Sequence, residues 1–335
     1  MGLERDGRAG RQAGLAVMQR RPEPYRNAMA SHASDFFDRF TAAGRHDDLP
    51  PAPPAGLQLL ADRPLPGDLA AVAEAIRLFH PTLAAATVEW VPVSAFAQPV
   101  AFEFGGEGPP VDWLGLASWG EHTVKLMGFD AAMPAAPLSR TLAHSLFVPN
   151  DLKAVAGRHR SHWLFDYAGR DPRPVERYAA TALIAGAVAN FGGIVALNEE
   201  ARACVPAAAL QPEDDREDVL AVLRGLPLPY LYGGFAKLEL SDPPGAIWYR
   251  TFLNARFGLP NLAVAGTHET FTESFQLFTA MLNYLAETGL DVQIGETIRV
   301  DDERYFVARK PGDAEWFLES DEGITVVLDP GRSSD

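Results

Sequence analysis

Between Tyr178 and Asn198 the chain carries no charged side chain, and that uncharged run restricts the fold more than any other feature. It is mainly alanine and glycine, contains Asn190 and is broken by Gly192-Gly193, whereas a membrane span needs about 20 continuous apolar residues. A helix buried on most sides, feeding a buried strand, accommodates it. Both ends of that helix are marked. Asp171 is placed to cap, Pro172 suits the first helical position and Gly192 suits the left-handed site past the end. The spacing predicts a helix over Pro172–Phe191 and a strand over Ile194–Leu197.

The flanking periodicity extends this into a β-α-β-α-β run, with a helix over Leu138–Phe147 and a strand over Ser161–Tyr167. Upstream, the prolines of Leu49–Pro54 make a linker. A helix then starts at Asp68 and stops at Pro81, and strands are expected at Thr87–Val93, Pro99–Phe104 and His122–Phe129, with a glycine- and proline-rich loop over Gly105–Pro110. Downstream, residues 213–225 read as a helix with an acidic start. Strands Tyr230–Leu240 and Ala246–Leu253 form a hairpin through Asp242-Pro243-Pro244-Gly245. Phe271, Phe275, Phe278, Leu282 and Leu285 mark the core face of a further helix, and strands are expected at Val292–Val300, Arg304–Arg309, Glu315–Leu318 and Ile324–Leu328. Short connections favour antiparallel pairing, so the expected class is α+β: mixed or antiparallel sheets with helices packed on one face, in two lobes, the second more strand-rich. The expected division is a disordered tail and proline-rich linker over 1–55, an N-terminal lobe over 56–210 and an acidic C-terminal lobe over 211–330. Residues 1–28 are expected to lack order, and Met29 reads as a natural start.

Charge narrows the classes of function. The formal net charge is −15, and it is unevenly spread: residues 211–335 hold 22 acids against 10 bases, a net of −12, whereas residues 1–210 hold 22 against 19. Such a surface repels phosphates, so nucleic acid and anionic membranes are not expected as partners; solubility accounts for the charge, with an acidic face for a basic protein partner as the functional alternative. Cys204, the sole cysteine, excludes an intramolecular disulfide and a thiolate metal cluster, and its small apolar neighbours predict a buried filler. No apolar signal region follows the arginines of the first 28 residues, so the expected compartment is the cytoplasm.

No phosphate loop, dinucleotide fingerprint, nucleophile elbow or His-Glu-x-x-His motif occurs. What remains is dispersed. His162 lies in His159-Arg160-Ser161-His162, where positions three apart on a strand face opposite sides and argue against a shared metal. Asn198 and Glu199 end a buried strand, where sheets of this kind commonly place ligand contacts. Arg250, on the strand Trp248-Tyr249-Arg250-Thr251, could hold an anion. His268-Glu269 precedes Thr270-x-x-Glu273, which reads as a capping box. His162, Asn198, Glu199 and Arg250 are therefore the candidate binding residues, with no cofactor or metal expected.

Several short segments carry a family resemblance. They are Met127-Gly128-Phe129-Asp130-Ala131-Ala132-Met133-Pro134, the stretch His144–Leu152, His159-Arg160-Ser161-His162, Asp171-Pro172 with its helix, and Tyr249-Arg250-Thr251 through Phe257-Gly258-Leu259-Pro260. Over roughly residues 120–265 the chain resembles bacterial proteins carrying the uncharacterised domain DUF 4261. Where that family often ends a strand in Trp-Gly, this chain has Ala196-Leu197-Asn198. The resemblance implies no activity. The expected function is a non-enzymatic interaction or accessory protein of the immunity type, the alternative being an enzyme or small-molecule module with a site built from dispersed polar residues.

Overall fold

A computed structural model describes residues 33, 35–45, 54–95, 110–214, 216–241, 244–300, 304–319 and 322–330. The tail over 1–28, the strand expected at Pro99–Phe104 and most of the two proline-rich loops lie outside the described residues. The first lobe runs α1 (residues 35–42), β1 (Gly56–Ala61), α2 (Leu69–Phe79), β2 (Thr87–Pro92), β3 (Trp113–Trp119) and β4 (His122–Phe129). It continues with α3 (Ala135–His144), α4 (Asn150–Ala156), β5 (Ser161–Tyr167), α5 (Pro174–Ala189), β6 (Gly193–Asn198) and β7 (Ala203–Pro206). These strands make one antiparallel sheet of seven in the order β2-β3-β4-β5-β1-β6-β7. The earliest strand, β1, is thus threaded between β5 and β6.

The uncharged run folds largely as read. In α5 each residue from Tyr178 to Ala189 is buried, and small side chains let its neighbours approach closely. The helix begins two residues later than expected, with Pro174 rather than Pro172 in the first turn, and Gly192 takes the positive φ of 96°. Among the described residues no helix is long and apolar enough to cross a membrane.

At Gly186, an added Cβ would lie 2.3 Å from the backbone oxygen of Leu210 and 2.9 Å from the Phe79 ring. Helix propensity alone would favour alanine there by about 1 kcal/mol, but overpacking against backbone costs about 1–3 kcal/mol or more. Gly186→Ala is therefore expected to lower stability by roughly 1–2 kcal/mol in urea denaturation. A stabilised variant would show that this contact is looser than its geometry states.

The second lobe contains α6 (Val219–Gly225), β8 (Gly234–Ser241), β9 (Pro244–Phe252), β10 (Asn261–Gly266), α7 (Phe271–Thr288), β11 (Thr297–Arg299), β12 (Tyr305–Arg309) and β13 (Thr325–Pro330). Its six-stranded sheet is mixed, in the order β11-β12-β13-β10-β9-β8, with β10 and β13 parallel and the other pairs antiparallel. The α+β class and the strand-rich second lobe are as expected. The helices, however, are placed differently on the two sheets. On the first sheet Leu57, Leu59 and Phe165 pack with α5, while the opposite parity, Leu60, Val195 and Leu197, packs with Leu138 and Leu142 of α3. Phe36 and Phe40 of α1 cover Leu114, Leu116 and Met127 on that same second face. Both faces are apolar because each of these strands buries consecutive positions, not only alternate ones.

On the second sheet, α7 lays Phe271, Phe275 and Phe278 against Phe235 and Tyr249 of one face. Three local expectations need correction. Glu315–Leu318 is not a strand but part of a 3₁₀ segment over Asp313–Leu318, in which Glu315 bonds back to the Gly312 amide and pairs with Arg309. The strand expected over Val292–Val300 shrinks to β11. The Thr270 hydroxyl accepts from the Thr267 amide instead of capping α7, so no capping box forms with Glu273. The two lobes share a continuous core across their junction. Tyr178 stacks on Tyr232 at 5.1 Å, and Phe147 meets the rings of Tyr230 and Phe275 at 4.9 and 4.7 Å.

Candidate functional site

The four residues singled out from the sequence do not converge. His162, on β5, is buried and stacked on Phe129 with ring centroids 4.4 Å apart; its Nδ1–H donates to the Ala131 carbonyl at 2.8 Å. Burial pushes its pKa down to about 4, so it is neutral at pH 7. His159 accepts the Met133 amide at Nε2 and donates from Nδ1 to the Ala156 carbonyl, both at 2.8 Å. The opposite-face reading of this pair was wrong, because His159 precedes the strand and its ring lies 6.2 Å from that of His162. Their backbone bonds nevertheless give both histidines a structural task.

Asn198 is buried where the lobes meet. Its amide donates to the carbonyls of Leu231 and Tyr232 at 3.2 and 3.3 Å, and its oxygen accepts from the Ala201 amide at 3.2 Å. Glu199 follows in the turn, half-buried, its carbonyl accepting from the Arg202 amide at 3.1 Å. Register separates this pair from His162: His162 faces Leu60 and Leu60 faces Val195, three residues before Asn198. Arg250 stands farther off, in the second sheet opposite Ala236 and Ala263. It donates from Nη1 to the Phe317 carbonyl at 3.0 Å, and burial lowers its pKa. Only the chain neighbours Asn198 and Glu199 come together.

A different set converges at the N-terminal end of α5. His122 opens β4 and Tyr167 closes β5, and the β4–β5 register brings His122 Nδ1 within 3.0 Å of the Tyr167 hydroxyl. That hydroxyl accepts the Asp171 amide at 3.2 Å, which leaves its proton for His122 Nδ1. Burial lowers the His122 pKa and pushes the Tyr167 pKa up to about 12, so a neutral imidazole faces a protonated phenol at neutral pH. Gly169 permits the turn between Tyr167 and Asp171: an added Cβ would lie 2.5 Å from both the Glu121 carbonyl oxygen and the Tyr167 hydroxyl.

His122, Asp171 and Glu176 each offer a ligand atom within 4.8 Å of the others, so this set has the geometry to hold a metal ion. Its carboxylates, however, already have partners. Asp171 accepts from Nε and Nη2 of Arg173 at 3.1 and 2.7 Å and from the Arg173 amide at 2.9 Å; the Arg173 guanidinium holds its pKa below the usual range. Glu176 accepts from Nε and Nη2 of Arg224 at 3.1 and 2.8 Å. Arg177 donates to the Asp171 carbonyl at 2.8 Å and lies over the Tyr167 ring. With three arginines around two carboxylates, a cation would have to displace ion pairs in a field of net positive charge. The arrangement is better suited to joining α5, α6 and the β3–β4 turn than to holding a metal. The sequence reading of Asp171 as the cap of α5 needs correction, because the N-cap is Arg173 and has no side-chain cap bond, while Asp171 accepts the Arg173 amide ahead of the helix. The rest of the cluster was missed. Histidine and tyrosine at strand ends were the available signal, but their meeting depends on strand register.

Elsewhere, Cys204 is buried, and its burial pushes the thiol up to about 12, which removes it as a nucleophile at neutral pH. No protein-family model, curated protein or solved structure matches the chain.

Proposed function

We propose that this chain is a non-catalytic interaction protein, an accessory factor of the immunity type in the bacterial cytoplasm, whose acidic C-terminal lobe receives a basic protein partner. The observation that carries this reading is the excess of 22 acids over 10 bases in residues 211–335. A field of that sign speeds encounter with basic proteins and disfavours phosphate-bearing partners. The bonding of the polar residues supports the same reading, since His159, His162 and Asn198 serve the backbone and Asp171 and Glu176 are held by arginines. The segments quoted above support placing the chain with the DUF 4261 proteins. The alternative, an enzyme or small-molecule module, would draw on His122, Asp171 and Glu176.

The test is capture from native bacterial lysate by the full chain and by a variant carrying Glu269→Lys and Glu287→Lys, two exposed charge reversals. A basic protein retained at low salt, released by added salt and held roughly tenfold less well by the variant is the expected result. Failure to retain any salt-releasable basic protein, together with turnover in a substrate screen that His122→Ala abolishes, would replace this reading with the alternative.

A further inference from the structure

Between the C-terminal half of α7 and the segment leading through β11 runs an open groove of about 870 Å³. Its floor includes the buried Met281 and Leu285, and its walls include Tyr284, Leu290, Val292 and Ile298. Tyr284 and Leu290 are 56% and 55% exposed, and the nearby Ile294 is 48% exposed. Eight large apolar side chains are exposed among the described residues, and three of them fall between Tyr284 and Ile294. Apolar exposure gathered on one groove marks an interaction surface, whereas single exposed residues need no explanation.

The charge around the groove indicates what would occupy it. Two acids, Asp291 and Glu296, and one base, Arg299, lie on the groove itself, with Glu287 and the run Asp301-Asp302-Glu303 adjacent in sequence. Between Glu269 and Glu303 the sequence has a single base, Arg299. A rim with more acid than base around an apolar trough disfavours phosphodiesters and anionic lipid headgroups. It also disfavours pairing with the same face of a second copy, where the two excesses of acid would meet.

We propose that this groove binds a short basic segment of a partner protein. A large apolar side chain of that segment packs over Met281 and Leu285 beside Tyr284, and lysine or arginine residues on either side of it meet Asp291 and Glu296. The apolar anchor supplies the desolvated centre of the contact and the charged rim supplies orientation and rate of encounter. This assignment rests on the interaction reading above and gives it a location.

The test pans a displayed library of random short peptides against the full chain at physiological salt. The selected peptides are then measured by fluorescence anisotropy against the parent chain, Tyr284→Ala and Asp291→Lys. Both replaced side chains are exposed, so circular dichroism should report unchanged folding. Selected peptides are expected to carry a large apolar residue flanked by lysine or arginine, and each variant is expected to weaken them on the order of tenfold. Basic peptides held equally by all three proteins would overturn the groove while leaving the interaction reading intact. Selection of no basic peptides would remove both. Self-association in sedimentation that Tyr284→Ala abolishes would reassign the groove to a second copy of the chain.

Discussion

Trp163→Ala is expected to cost about 4 kcal/mol, enough to leave a domain of ordinary stability largely unfolded under mild denaturant. Trp163 is 1% exposed, meets Trp90 edge-on at 5.6 Å and covers Gly128, where a Cβ would lie 2.8 Å from its ring. Alanine would leave a cavity that cannot readily close, because the ring's neighbours are strands held in register on both sides. Trp316→Ala is the matched control: Trp316 is 72% exposed, and its loss should change stability by less than about 0.5 kcal/mol. Urea denaturation of the two variants checks the contrast. Similar midpoints would mean that the centre of the first sheet is not packed as the geometry states.

The second large effect is acid sensitivity, with His162 as its principal source. Its pKa is about 4 in the folded chain and near 6.5 when free, so below pH 6.5 the unfolded chain takes up a proton that the folded chain refuses. The contribution is therefore complete above pH 6.5, shrinks as pH falls and is gone below about 4, a total of about 3 kcal/mol. His159 and His122 are shifted in the same direction by burial. Asp166 opposes them, because burial raises its pKa and favours the folded state as acid is added. Replacing His162 with asparagine, whose amide can still reach the Ala131 carbonyl, isolates the single group. Between pH 7 and pH 4 the parent should lose about 3 kcal/mol more than His162→Asn in denaturant titrations. Parallel losses in the two proteins would mean that His162 is protonated in the folded state.

The parts of the fold legible in the sequence were those whose signals are local. The burial of α5, the glycine after it, the β8–β9 hairpin and the aromatic face of α7 follow from periodicity and turn chemistry over a few residues. Glu315–Leu318 misled because the apolar run Trp316-Phe317-Leu318 resembles a short strand, whereas Glu315 turns back on Gly312 and Arg309. The candidate residues failed to assemble for a related reason. A polar residue ending a buried strand has a ligand or a backbone group to satisfy, and Asn198 satisfies the carbonyls of Leu231 and Tyr232, which the sequence places more than thirty residues away. The cluster of His122, Tyr167, Asp171 and Glu176 is likewise a product of strand register and of the tight turn at Gly169, and no spacing along the chain encodes it.

The place of β1 has a consequence for how the chain is made. Leu57 pairs with Phe165 and Gln58 with Leu197, so the middle of the first sheet is closed by contacts between residues far apart in the chain. During synthesis the apolar segment Gly56–Ala61 leaves the ribosome long before either of its partner strands exists. Its loop-closure cost falls late and its open edges wait in the meantime, so β2, β3 and β4, which are joined by near neighbours, assemble first. A ribosome stalled before β6 therefore presents a sheet whose β1 edge is still unpaired and apolar, a state in which a chaperone would protect the chain.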